Sequence, residues 1–249
     1  MSTPTAALLI IGNEILSGRT KDKNLPELAL FLSDIGIAFK QAVVVPDDIE
    51  VIAKTVNQLR EQYTYVFTSG GIGATHDDIT MQAIAQAFGR KYVRNPEALK
   101  ILEEHYKEEI NETRRCMADM PEGCNLIDNP VSKAPGAIVE NVHVMAGIPE
   151  IFRAMLQTLA PSLQTTDTKP FRYTTVTVMV PENQLASKLE KVQNRYSDLD
   201  IGSYPFFQFG AVGASFIIRG QDVDRIQNAT NDLIKVLDGD NIKYELKPA

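Results

Sequence analysis

Residues 68–80, TSGGIGATHDDIT, set Gly70, Gly71 and Gly73 beside His76 and the adjacent acids Asp77 and Asp78. Glycines tolerate positive φ and let backbone N–H groups approach an anion closely. A helix opening near Ile79 would add its positive N-terminal end, which suits a phosphate. Two carboxylates would repel a bare phosphate. That conflict is eased if a divalent cation or a basic group lies between them, or if one of the acids only caps the helix. Hard oxygen ligands of this kind suit Mg²⁺. No G-K-[ST] follows the glycines and their spacing is not G-x-G-x-x-G, so neither common phosphate-loop signature is present, and a purely structural turn stays open. Ser69 precedes the glycines without an apparent triad partner.

Other segments carry related chemistry. In GNEILSG (12–18), Glu14 lies between Gly12 and Gly18 and reads as a metal ligand or hydrogen-bond acceptor, or as a surface glutamate. In PDD (46–48), one aspartate serves as a helix N-cap, leaving the other free to face a ligand. SKAPGA (132–137) puts Lys133 beside the Pro135–Gly136 turn, and AGIPE (146–150) opens a further helix; both either border a cleft or punctuate the chain. Arg114 and Arg115 suit either an anion or a solvated helix face. His76, His105 and His143 are too scattered for a zinc set. His105 and His143 read as structural, while His76 lies inside the loop.

Hydrophobic periodicity supplies the elements that position these groups. TAALLIIG (5–12) is a continuous apolar run of the kind buried on both faces of a parallel sheet. Leu25, Leu28, Leu32 and Ile35 fall at helical spacing, and IAFKQAVVVP (37–46) reads as the next strand. Ile49, Ile52, Ala53, Val56 and Leu59 form another helical stripe, and YTYVFTS (63–69) a third strand. Met81, Ile84, Ala85 and Phe88 mark the helix after the glycine loop. Polar helices over 96–119, short strands between Pro and Gly turns, and a helix over 149–163 follow. Such alternation predicts right-handed βαβ units and a mostly parallel sheet. Ligands in such sheets bind beyond the carboxyl ends of the strands, where GNEILSG, PDD and SGGIGATHDD all fall. QTTDTKP (164–170) reads as a linker. Beyond it, the order strand, helix, strand, strand, helix, strand predicts a ferredoxin-like unit. The expected domains are residues 1–164 and 170–249.

The 249 residues are 44% apolar and 23% charged, an ordinary globular composition. The net charge of −7 argues against nonspecific nucleic-acid binding. Residues 1–167 carry 15 Lys+Arg against 22 Asp+Glu, whereas 168–249 carry 10 against 10. No apolar run approaches the length of a membrane span, and the start of the chain lacks a basic signal-peptide region. Cys116 and Cys124 lack C-x-x-C spacing, so a reduced, cytoplasmic setting is expected.

TSGGIGATHDDIT followed by AIAQAFG resembles the molybdopterin-binding family of MoaB, MogA and MoeA proteins. It is most similar to the branch formed by the N-terminal half of CinA-type competence/damage-inducible proteins and the matching domain of eukaryotic FAD synthase. GNEILSGRTKDKN, VVPDD, MPEGCNLIDNPVSKAPG and VMAGIPEIFRAML extend the resemblance over roughly residues 4–163, and GSYPFF (202–207) resembles the small domain that follows in that branch. The resemblance implies a three-layer α/β fold that binds a phosphorylated pterin or an ADP-containing nucleotide, and a homo-oligomer. It places catalytic roles on Asp78 and Asp47. Together with the residue chemistry above, a divalent metal is expected on Glu14, Asp47 and Asp78, and ligand contacts on Gly12, Ser69, Gly70, Gly71, Gly73, Thr75, Lys133, Pro135 and Gly136. CinA-type relatives are associated with hydrolysis of ADP-ribose-like pyrophosphates using a divalent metal and K⁺, which extends here to FAD. Molybdopterin adenylyl transfer and non-catalytic ligand binding are the alternatives. Ala74 stands where that branch usually has proline. No amidase or adenylyltransferase sequence follows before Ala249, so amide hydrolysis and FAD synthesis are not expected.

Overall fold

The computed structural model describes residues 3–163, 169–208 and 210–247, and the chain divides into the compact units Met1–Thr168 and Lys169–Ala249. Most of the expected linker, residues 164–168, lies outside the described residues.

The first unit alternates strands and helices as its periodicity requires. In order these are β1 (Thr5–Ile11), α1 (Asn13–Leu16), α2 (Asn24–Asp34), β2 (Ala38–Val45), α3 (Ile49–Gln62), β3 (Tyr65–Ser69) and α4 (Thr80–Ala87). Then follow β4 (Tyr92–Arg94), α5 (Pro96–Tyr106), α6 (Glu112–Arg115), β5 (Asp119–Pro121), β6 (Asn125–Ile127), β7 (Gly136–Val139), β8 (Val142–Met145) and α7 (Pro149–Leu163). Six strands form one sheet in the order β2-β1-β3-β8-β7-β6. Strands β2, β1, β3 and β8 run parallel, while β7 is antiparallel to both of its neighbours.

Strand β1 shows why the sheet sits between two helical layers. Ala7, Leu9 and Ile11 join Ile52, Val56 and Leu59 of α3 and Ile84 of α4 on one face. Ala6, Leu8 and Ile10 join Leu28 and Leu32 of α2 and Phe152, Met155 and Leu156 of α7 on the other. Side chains alternate along a strand, so a strand covered on both sides has no polar position to offer. Helix α3 starts where Asp48 accepts a hydrogen bond from the Val51 amide at 3.0 Å. The other aspartate of the pair is thereby released from capping.

The second unit runs β9 (Arg172–Val178), α8 (Ala186–Arg195), β10 (Asp200–Gln208), β11 (Ala211–Gly220), α9 (Val223–Gly239) and β12 (Tyr244–Lys247). Its antiparallel sheet has the order β10-β11-β9-β12. Val176, Val178, Phe216 and Ile218 of this sheet share a core with Val192 of α8 and Ile226, Leu233 and Leu237 of α9. This is the expected ferredoxin-like order.

One buried titratable group marks the first core. His143 of β8 is 5% exposed, stacked on Phe67 with ring centroids 5.0 Å apart, and edge-on to Tyr65. Burial pushes its pKa down from 6.5 to about 4. Above pH 6.5 the imidazole is neutral in both folded and unfolded chains. Between pH 6.5 and about 4 only the unfolded chain takes up the proton, so stability falls with pH across that window. At 1.36 kcal/mol per unit the total is roughly 3 kcal/mol. His143→Leu is expected to reduce the drop in urea-unfolding free energy between pH 7 and pH 5, and an unaltered drop would count against a buried neutral histidine.

Candidate functional site

The glycine loop is first a device for bringing backbone together. Gly70 has φ +110°, and a Cβ there would lie 2.3 Å from the carbonyl oxygen of Ile11 at the end of β1. Gly71 has φ +66°, and its Cβ would lie 2.3 Å from Thr80 Oγ1. Thr80 fastens the loop from its other end. Its hydroxyl donates to the Gly70 carbonyl at 2.9 Å and its amide donates to the Gly71 carbonyl at 3.0 Å. These glycines are therefore required by the chain itself. They also leave the amides of Gly71, Ile72, Gly73 and Ala74 without a hydrogen-bond acceptor among the described residues.

The two acids share one threonine. Thr75 donates through its amide to Asp78 Oδ2 at 2.8 Å, and its hydroxyl lies 2.6 Å from both Asp78 Oδ2 and Asp77 Oδ1. This hydroxyl is the main reason that the Asp77 carboxyl titrates below the ordinary aspartate range. Neither acid caps the following helix, as one of them was expected to: α4 begins after Ile79 with no side-chain cap. Asp78 is folded back beneath Gly73, where a Cβ would lie 2.6 Å from Asp78 Oδ2.

A cleft of about 680 Å³ opens at this loop. Gly70 through Thr75 and Asp78 form one wall, with Glu14 and Thr20 from the loop after β1 beside them. Asn129, Ser132 and Ala134, then Gly147, Ile148 and Pro149 at the start of α7, complete it. Ile72, Met117 and Ile148 give it apolar surface suited to a planar ring, a common build for small-molecule sites. Among the expected site residues, Glu14, Gly70, Gly71, Gly73, Thr75 and Asp78 line this one space.

Others stand elsewhere, each for a physical reason. Asp47 is outside the cleft lining, and its Oδ2 accepts a hydrogen bond from the Asn13 amide at 2.8 Å, bracing the first loop. Gly12 is buried and its amide donates to the Val45 carbonyl at 3.2 Å. Lys133 takes the left-handed φ of +62°, and its neighbours Ser132 and Ala134 line the cleft instead. Pro135 and Gly136 are buried. A Cβ on Gly136 would lie 2.3 Å from the Val144 carbonyl oxygen, so that glycine serves strand packing. His76 and His105 are exposed. Arg114 and Arg115 pair with Glu109 and Glu103.

The expected three-carboxylate metal set is not assembled. Among the described residues no group of three or more His, Cys, Asp or Glu side chains is placed to hold a metal. Only Glu14 and Asp78 of that set line the cleft. Of the two, Glu14 makes no hydrogen bond through its carboxylate among the described residues and would be the one to join an ion that takes its remaining ligands from phosphate oxygens and water, as Mg²⁺ commonly does.

Several residues at the site escaped the sequence reading. Asn129, 2% exposed, donates to Ser132 Oγ at 2.7 Å and the Ala134 carbonyl at 2.8 Å, and accepts from the Val131 and Ser132 amides. It sets the shape of the opposite wall. Asn24, also 2% exposed, donates to Ser69 Oγ at 2.7 Å and the Gly147 carbonyl at 2.8 Å. Ser69 is thus tied to Asn24 in a recess of about 80 Å³, which shares Glu14, Thr20, Gly70, Gly147 and Pro149 with the cleft wall. Lys21 and Lys23 line the same recess and supply the positive charge there. Their signal was the alternation in RTKDKN.

Comparison with known proteins agrees with this architecture. Residues 7–165 match the family described as a probable molybdopterin binding domain, and residues 170–245 match the middle domain of FAD synthase. The chain therefore belongs to the molybdopterin-binding family, with a second domain of the FAD synthase middle type. An Archaeoglobus fulgidus protein is 34% identical over 230 residues, covering 92% of this chain and 96% of that one. A Pyrococcus furiosus protein is 31% identical over 242 residues, covering 90% and 93%. Among solved structures, CinA from Thermoplasma acidophilum, whose function is given as unknown, matches with a TM-score of 0.60 and 30% identity, covering 64% of this chain and 98% of that one. Among the described residues no helix is long and apolar enough to cross a membrane.

The hydrogen bonds of Asn129 make a prediction. Asn129→Ala is expected to lower the unfolding free energy by about 1–3 kcal/mol, because it leaves buried partners unsatisfied. Chemical denaturation measures this, and a change within error would show that residues 129–134 hold their shape without it.

Proposed function

We propose that the cleft binds an ADP-containing nucleotide with its diphosphate against the amides of Gly71 to Ala74, and that the protein hydrolyses the phosphoanhydride. The observation that carries this reading is the set of unpaired amides at the rim of a cleft with both carboxylate and apolar walls. Backbone N–H groups at such a turn suit phosphate oxygens, and the apolar walls suit the attached ring.

Asp78 is built to act on a water. Its Oδ2 is occupied by Thr75, whereas Oδ1 accepts no hydrogen bond among the described residues. Oδ1 orients the water and takes its proton as the water oxygen bonds to phosphorus and the bridging P–O bond breaks. For ADP-ribose the products are AMP and ribose phosphate; for FAD they are AMP and FMN. Glu14 makes no hydrogen bond through its carboxylate among the described residues and faces the same space. A divalent ion held by Glu14 and the diphosphate would offset phosphate charge and acidify the water, leaving Asp78 Oδ1 free to act as base.

The family description, a probable molybdopterin binding domain, favours a second reading in which a phosphorylated pterin occupies the cleft; in that reading its phosphate would replace water as the acceptor of an adenylyl group. The two readings are separated by products. Release of AMP from ADP-ribose or FAD, dependent on Mg²⁺ or another divalent metal, supports hydrolysis. Adenylylated pterin formed from ATP supports transfer. Asp78→Asn is expected to lower the hydrolytic kcat by 10²-fold or more, the range usual for a general base, with KM little changed. Folded protein that releases no AMP with any divalent metal would overturn hydrolysis and leave a binding module.

A further inference from the structure

The small recess beside the cleft contains polar capacity that the fold does not use. Asn24 is the clearest case. A backbone carbonyl can only accept, so the bond to the Gly147 carbonyl requires the amide nitrogen of Asn24 on that side. The amide orientation is thereby fixed, and the same nitrogen also donates to Ser69 Oγ. Asn24 Oδ1 is then left buried without a partner. Buried polar atoms are nearly always paired, and an orphan in a native structure calls for an explanation. Ser69 Oγ accepts from Asn24, and its own proton has no acceptor among the described residues. Glu14, on the wall shared by recess and cleft, has an unengaged carboxylate.

We propose that this recess receives the cis-diol of a ribose whose diphosphate lies against Gly71 to Ala74. The inference rests on the nucleotide-binding reading above and names the subsite that would make it selective. A hydroxyl both donates and accepts, so two adjacent hydroxyls match Asn24 Oδ1 and the Glu14 oxygen not turned to the ion, together with the unused Ser69 proton. Lys21 and Lys23 balance Glu14 and Asp22 in the lining, so it is the unused acceptors, not net charge, that select a hydroxyl over a second phosphate. A bicyclic ring is disfavoured by the volume of about 80 Å³. The acidic and amide acceptors near the end of β1 follow the general logic by which α/β sheets read ribose hydroxyls. Connection to the cleft through Glu14, Thr20, Gly70 and Gly147 lets one ligand occupy both spaces.

The test uses the full chain with Mg²⁺ and compares binding of ADP, 2′-deoxy-ADP, 3′-deoxy-ADP and inorganic pyrophosphate by calorimetry. ADP is expected to bind about tenfold or more tightly than at least one deoxy analogue, because a site built to pair a hydroxyl is left with unpaired buried groups when it is missing. In Asn24→Ala the ratio of ADP affinity to 2′- or 3′-deoxy-ADP affinity should fall towards one. Equal affinity of the wild-type protein for ADP and both deoxy analogues overturns the diol assignment alone, and needs no variant to fold. Absence of binding by both ADP and pyrophosphate overturns the nucleotide reading and the diol with it.

Discussion

The site depends on a close crossing of backbone at the carboxyl edge of the sheet. Gly70 packs against the Ile11 carbonyl so tightly that no side chain fits between them, and Gly147 also packs against Gly70, where its Cβ would lie 3.1 Å from the Gly70 Cα. Three neighbouring parallel strands, β1, β3 and β8, therefore turn within one another's reach. The loops that leave them carry Glu14, the Gly71–Ala74 amides and the start of α7, and the crossing brings these to one cleft. A larger residue at position 70 would separate the walls before it touched any ligand. Structure and function thus ask for the same glycine, and the amides that face the cleft follow from how Thr80 fastens the loop.

Charge at this edge is divided. The first unit is acidic overall, and its cleft has Glu14 and Asp78 in its walls. Lys21 and Lys23 border the adjoining recess. An anion here meets backbone donors and carboxylates in the walls of one cleft. Such a layout favours a ligand that brings a cation with its phosphates, in keeping with the way Mg²⁺ is usually held by one or two carboxylates and a diphosphate.

Much of the fold was legible because β1, α3 and α7 have the apolar periods of elements covered by a known number of layers. The main loop was legible too, since glycine and acidic residues at a strand end have few other uses. What escaped depends on partners distant in sequence. Nothing local distinguishes Asp47 from Asp48, and the choice of Asp48 as cap is settled by where α3 begins. Lys133 and Gly136 looked available until the chain placed one at a left-handed turn and the other against Val144. Asn24 and Asn129 are ordinary in sequence, and their importance arises from burial and from bonds, some of them to residues more than 40 positions away.

The central claim is that the amides from Gly71 to Ala74 hold phosphate. Amide resonances of a ¹⁵N-labelled protein, followed while ADP-ribose is added, test it most directly. Saturable shifts centred on Gly71, Ile72, Gly73 and Ala74, reproduced in part by pyrophosphate alone, are the result this account predicts. Saturable binding that leaves those four resonances in place would contradict it.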